Sequence, residues 1–114
     1  MSINNIFGKS IGMMGKSLDY LWTKQKVTSN NIANAETPGY KSKYVTFEEN
    51  FKSKLLEANT RIKENSSESA RLDGNNVNTE VQMIELTRTA LQYQYGIESV
   101  NKDFTRLGTA IKGQ

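Results

Sequence analysis

Apolar side chains recur at helical spacing near both ends of this 114-residue chain and thin out between them. Ile11, Met14, Leu18, Leu21, Gln25, Thr28, Ile32 and Ala35 alternate in steps of three and four. That a/d seam predicts a helix over residues 9–36. Gln25 and Thr28 interrupt it; polar seam residues weaken a contact but hold its register, because a slipped pairing buries them unpartnered. The helix should stop near Ala35, since Thr37 precedes Pro38 and is steered out of the helical region. Pro38-Gly39 suits the central positions of a type II turn, with glycine supplying the positive φ.

The second pattern is longer. Met83, Leu86, Ala90, Tyr93, Ile97, Val100, Phe104, Leu107 and Ile111 form an unbroken a/d series and predict a helix over 78–112. At ~1.5 Å per residue it would be roughly 50 Å long. Asp73-Gly74 marks a turn ahead of it, either Asn76 or Asn78 can cap it, and Glu80 sits where the helix dipole favours a carboxylate. Val77, Val81, Ile84 and Leu91 widen the apolar face, which suits a helix with neighbours on several sides.

Residues 41–76 are poor in apolar side chains. Tyr44, Val45, Phe47, Phe51, Leu55 and Leu56 are their main cluster, and the spacing of Phe47, Phe51 and Leu55 suggests a short amphipathic helix. Glu64 to Glu68 reads as a loop. The expected fold is therefore all-α and a single domain over 1–114. Two long terminal helices pack as an antiparallel hairpin or coiled coil, joined by a turn and a partly irregular polar segment over 37–77. Their apolar edges are too extended for two helices to cover, so other subunits should complete them.

Composition narrows the chemistry. The chain has no Cys and no His, which excludes thiolate metal sites and removes the commonest metal ligand and general base. No cofactor, metal site or catalytic residue is expected. Glu48-Glu49 have nothing nearby to desolvate them. Hydrophobic residues make up 36% and the mean hydropathy is −0.64, with no apolar run long enough to span a membrane. The net charge of +3 and a pI near 9.2 are too weak for a dedicated nucleic-acid binder. Gly15-Lys16-Ser17 lacks the glycine a phosphate loop needs five residues earlier, where Ser10 stands. Lys41 and Lys43 form a small basic patch, read as solvated charge or as a contact for an acidic neighbour.

The richest block is Asn30-Asn31-Ile32-Ala33-Asn34-Ala35-Glu36-Thr37-Pro38-Gly39-Tyr40. Asn30 and Asn34 lie one turn apart beside the small Ala33. Their amides either finish an ordinary helix end or lock onto polar groups of adjacent chains. At Asn31, Ala33, Asn34, Thr37, Pro38, Gly39 and Tyr40 the block resembles the signature of the bacterial flagellar rod and hook proteins. The stretch Asp73-Gly74-Asn75-Asn76-Val77-Asn78, with Leu91-Gln92-Tyr93-Gln94, is similar to the small proximal-rod members. A neighbouring small rod branch, the alternative within the family, usually carries an insertion in the Thr-Pro-Gly-Tyr region that this chain lacks. Lys24, Lys26 and Asn78 depart from the family pattern, which puts particular ion pairs in question.

The resemblance implies a structural, non-enzymatic rod component that transmits torque through interlocked helices. Its partners would be copies of itself, other rod proteins, the rod-base adaptor protein and the flagellar export gate, with no nucleic acid and no membrane span. Its place would be the periplasmic rod of the basal body, reached through the flagellar type III apparatus without a cleavable signal peptide. Phe7 and Ile11 resemble the short hydrophobic motif that docks early substrates on the export gate. Leu18, Leu21, Ile32, Met83, Leu86, Tyr93, Ile97, Val100, Phe104 and Leu107 are the expected packing residues within and between subunits. Asn31, Asn34, Thr37, Pro38, Gly39 and Tyr40 would shape the junction where the helix ends. A basic nucleic-acid-binding helix and a membrane-surface helix are the other readings; Glu85 and Glu98 break the basic face the latter needs.

The isolated chain is expected to have frayed ends and to gain helix on assembly. Circular dichroism of the dilute monomer checks this; a fully helical, cooperatively melting monomer is the contrary outcome.

Overall fold

The computed structural model describes residues 3–50, 57–66 and 71–113. Helix α1 spans Ile3–Ala33, strand β1 Lys43–Asn50, strand β2 Glu57–Glu64 and helix α2 Thr79–Lys112. The fold is mostly helical, with a two-stranded antiparallel sheet between the helices.

That sheet corrects the all-α expectation. Tyr44, Val45, Thr46 and Phe47 are β-branched or aromatic, the residue types that pack well on a pleated surface. Phe47, expected on an amphipathic helix, lies in β1; Phe51 and Leu55 fall outside the described residues. Steps of four fit a helix and, being even, also keep one face of a strand, so the spacing alone does not discriminate. Val45 pairs with Ile62 and Phe47 with Thr60. The Phe47 ring lies 5.3 Å from the Tyr20 ring of α1, which lays the sheet against that helix. Glu64, read as loop, ends β2, and Asn65 N–H continues the ladder to the Ser42 carbonyl at 2.7 Å.

α1 begins at Ile3 rather than at residue 9. The Ser- and Asn-rich start has poor intrinsic propensity, but extending an existing helix adds a hydrogen bond for each residue ordered. At its other end Ala35 N–H bonds the Ile32 carbonyl and Thr37 N–H the Asn34 carbonyl, i→i+3 bonds that tighten the last turn. For α2 the cap is Asn78, whose side chain accepts from Val81 N–H at 3.3 Å. Gly113 closes the helix at φ 72°, with its N–H on the Ala110 carbonyl.

Contacts between the helices run in opposite order along the two. Asn31 meets Gln82, Lys24 pairs with Glu85 at 3.1 Å, and the Trp22 and Tyr93 rings lie 6.1 Å apart. Leu18 lies over Gly96, where an added Cβ would sit 2.8 Å from Leu18 Cδ2. Lys24, one of the departures from the family pattern, thus has an acidic partner.

The molecule is thin. Its extents are 65 × 31 × 13 Å and its radius of gyration is 18.7 Å, against about 13 Å for a compact domain of this length. Its smallest extent, 13 Å, is a fifth of its longest. Most domains bury a core between two layers. Here the buried residues among those described are Val27, Thr28, Asn31, Ala35, Ser42, Val45, Asn75, Val77 and Thr89, most of them near the sheet end of the helix pair.

Gly96→Leu is expected to destabilise the chain by about 1–3 kcal/mol through overpacking on Leu18. Adding Leu18→Ala should return part of that loss, which urea denaturation of the two single variants and the double variant would measure as a coupling.

Candidate functional site: an asparagine hub and an uncovered helix face

Where α1 ends, the chain turns back on itself and the segment before α2 straps the turn. Asn31 is 1% exposed and uses both ends of its amide. Its Nδ2 donates to the Lys43 carbonyl at 2.7 Å and to Gln82 Oε1 at 3.0 Å. Its Oδ1 accepts from Lys43 N–H at 2.9 Å and from the Tyr40 hydroxyl at 3.2 Å. One side chain thus ties α1 to β1, to the turn and to α2. A carboxamide has the donors and acceptors for this without a charge to desolvate.

Asn75, fully buried, performs the same task from the strap. Its Nδ2 donates to the Asn34 and Thr37 carbonyls at 2.8 and 2.9 Å, a second bond to acceptors that already take the Thr37 and Tyr40 N–H groups where α1 stops. Its Oδ1 accepts from Val77 N–H, and its own N–H donates to Asp73 Oδ1. Asn76 follows: Oδ1 accepts from Ser42 N–H at 2.6 Å and Nδ2 donates to the Asn65 carbonyl. Arg71 adds a guanidinium bond to the Ala35 carbonyl, and Lys41 Nζ donates to the Gly74 carbonyl at 2.6 Å. Lys41 of the basic patch therefore has a partner within the chain.

The turn between these side chains needs glycine. Tyr40 N–H bonds the Thr37 carbonyl at 3.2 Å around Pro38-Gly39, and Gly39 lies at φ 74°. Gly39 N–H donates to the Asp73 carbonyl at 2.6 Å, and Gly74, at φ 80°, passes close to the Gly39 backbone. Asn34 is directed inward on its own chain, with Nδ2 on the Asn30 carbonyl and Oδ1 accepting the Thr37 hydroxyl. Asn31, Asn34, Thr37, Gly39 and Tyr40 all join this network, and Pro38 sits in the turn.

The ten packing candidates are distributed differently. Leu18, Leu21, Ile32, Leu86, Tyr93, Val100 and Leu107 are half-buried, whereas Met83, Ile97 and Phe104 are exposed. Tyr93 meets Trp22 and Leu18 meets Gly96 within the chain. Val81, Ile84, Leu91 and Tyr95 add further exposed apolar area to α2. Ile11 is half-buried; Phe7 belongs to α1, and its side chain lies outside the described ones.

Reasoning from the sequence alone overlooked Asn75 and Gln82 as hub residues and buried Thr89, whose hydroxyl bonds the Glu85 carbonyl. The available signal was asparagine density: the 75–78 stretch is as rich in Asn as the 30–34 stretch, and two such blocks flanking one polar segment can meet. The hub is built of amides, carbonyls and backbone N–H groups. Among the described residues no group of three acidic, His or Cys side chains is placed to hold a metal ion, and no helix is long and apolar enough to cross a membrane.

Asn75→Ala orphans the Val77 N–H and takes one of two bonds from each carbonyl, and should cost about 1–3 kcal/mol. Asn101→Ala, on the exposed side of α2, should cost under about 0.5 kcal/mol; equal shifts in urea midpoint would contradict the hub. Asn75→Asp adds a test by pH. Its carboxylate would face two carbonyls, so its folded pKa would lie above the unfolded value of ~3.9. Any stability the acid form retains is then present below that value and lost as pH rises through the folded pKa, so its deficit should deepen between acidic and neutral pH.

Comparison with known proteins follows the same residues. The family described as "Flagella basal body rod protein" matches residues 21–41, the end of α1 and the first half of the hub. The flagellar basal body rod protein FlgB of Bacillus subtilis (strain 168) is 32% identical, with 96% of this chain and 98% of that protein aligned. FlgB of Aeromonas hydrophila is 26% identical, over 95% of this chain and 96% of its own length. FlgB of Borrelia hermsii is 40% identical over 52 residues, which is 46% of this chain.

Proposed function

Because this chain belongs to the flagellar basal body rod protein FlgB family, we propose that it is a proximal-rod subunit whose helices interlock with those of neighbouring molecules to carry torque. The family is structural rather than enzymatic, and its place is the basal-body rod. The observation that carries the mechanical reading is the 13 Å thickness together with the exposed apolar face of α2. The apolar area that α2 leaves uncovered would be covered by other molecules.

In this reading α1 and α2 form an antiparallel pair, supported by the opposite order of their contacts. Leu18, Leu21, Ile32, Leu86, Tyr93, Val100 and Leu107 divide their surface between the partner helix and neighbours. Met83, Ile97 and Phe104 serve neighbours. Asn31, Asn34, Thr37, Pro38, Gly39 and Tyr40 hold the elbow from which the sheet projects, so load entering the helices reaches it without slack. Contacts of this kind are heterologous and continue until a different partner ends them.

The partners are copies of this chain, other rod proteins, the adaptor at the rod base and the export gate. Export runs through the flagellar type III apparatus to the periplasmic rod, with Phe7 and Ile11 as the gate motif. A thin chain without a large core is suited to passage through a narrow channel.

Ile97→Asp places a charge on the exposed face and should abolish rod assembly and swimming while leaving export intact. Leu86→Asp should do the same. The check is basal-body composition together with secretion of the variant into the medium; normal swimming in either would contradict the packing assignment.

A further inference from the structure

Among the described residues, two of the uncovered apolar features complement each other. The first is Leu72, wholly exposed at the tip of the strap. It stands on a turn closed by Gly74 N–H on the Arg71 carbonyl at 3.2 Å. On either side of it the turn is tied down, by Arg71 to the Ala35 carbonyl and by the Asp73 carbonyl to Gly39 N–H. A backbone held this way loses little freedom on binding, which leaves only the Leu72 side chain to be ordered.

The second is a shallow, open apolar face of α2 formed by Met83, Ile84, Thr87, Arg88, Leu91 and Gln92. Ile84 and Leu91, two turns apart on one side of the helix, are 66% and 62% exposed. The Thr87 hydroxyl is engaged by the Met83 carbonyl, so it does not ask for a polar ligand. Arg88 stands on the rim with 67% of its side chain exposed and pairs loosely with Glu85 of its own helix at 3.9 Å, so a second carboxylate can share it. The neighbour of Leu72 is Asp73, the charge that Arg88 would attract.

We infer that Leu72 of one copy seats between Ile84 and Leu91 of the next copy, with Asp73 facing Arg88, as a head-to-tail contact that sets the register of successive subunits. This rests on the rod reading above and names the residues through which one copy addresses the next. A single anchor covers far less than the ~800 Å² per partner of a stable interface. It therefore selects the register within a wider helix contact and does not hold two copies together alone. Anchor and face are different surfaces of one chain, so the contact can repeat without closing.

The chain contains no cysteine, so introduced ones report cleanly. The full-length double variant Leu72→Cys with Leu91→Cys replaces the natural chain in its own cell, and isolated basal bodies are mildly oxidised. The expected result is a ladder of disulfide-linked multimers on a non-reducing gel, absent from either single variant. Dimers alone would mean a closed, reciprocal contact and would overturn the proposal. Basal bodies that contain the double variant but yield no ladder would overturn it too, with the rod reading left standing. Absence of the natural chain from basal bodies would overturn both. Leu72→Ser guards against a double variant that fails to assemble: the strap's bonds run through its backbone and other side chains, so the fold is kept. It should lower incorporation about tenfold, the effect of ~1.4 kcal/mol, and unchanged incorporation would overturn the contact.

Discussion

A carboxamide taken out of water must have both its oxygen and its nitrogen bonded, and Asn31 and Asn75 meet that condition only if four segments of chain arrive together. The rest of the architecture depends on this. Neither residue can be satisfied within its own element. Asn31 needs β1, the turn and α2, and Asn75 needs the end of α1 and the start of the segment leading into α2. A displacement of any one of them strands polar atoms in a place water does not reach, so the junction is close to all-or-none.

Rigidity and exposure are separated by this arrangement. Around the hub lie most of the buried residues among those described, including Val27, Ala35, Val45 and Val77, while Thr89 is buried further along α2. Beyond it the helices run on as a pair that is half-covered at best, with Ile97, Phe104 and Ile111 exposed towards the far end of α2. A molecule with a firm elbow and open arms is poorly suited to living alone and well suited to stacking. The elbow fixes the direction of the arms, and the arms present area for others. Membership of a family of flagellar basal body rod proteins is consistent with that division.

Much of this was legible along the chain. The a/d series placed both helices, and Thr37 before Pro38 marked the end of the first. The block around Asn31 to Tyr40 singled out the turn and the family. Less legible was the sheet. Phe47 sits at a spacing from Phe51 and Leu55 that serves helix and strand alike, and only its neighbours Tyr44, Val45 and Thr46 argue for extended backbone. The asparagines were visible as a cluster, but Asn34 could equally have faced another chain; in the fold it closes its own helix end.

By itself the sequence determined what is local: helical periodicity, a turn that demands glycine, a chemistry without thiol or imidazole, and a shortage of apolar side chains. Each of these follows from residues a few positions apart. Only the tertiary structure decided that Asn31 and Asn75, separated by the whole middle segment, serve one junction, and that Ile84 and Leu91 look outward while Thr89 between them is buried. Burial and hydrogen-bond partnership depend on which distant segments share a volume, and neighbours along the chain do not record that.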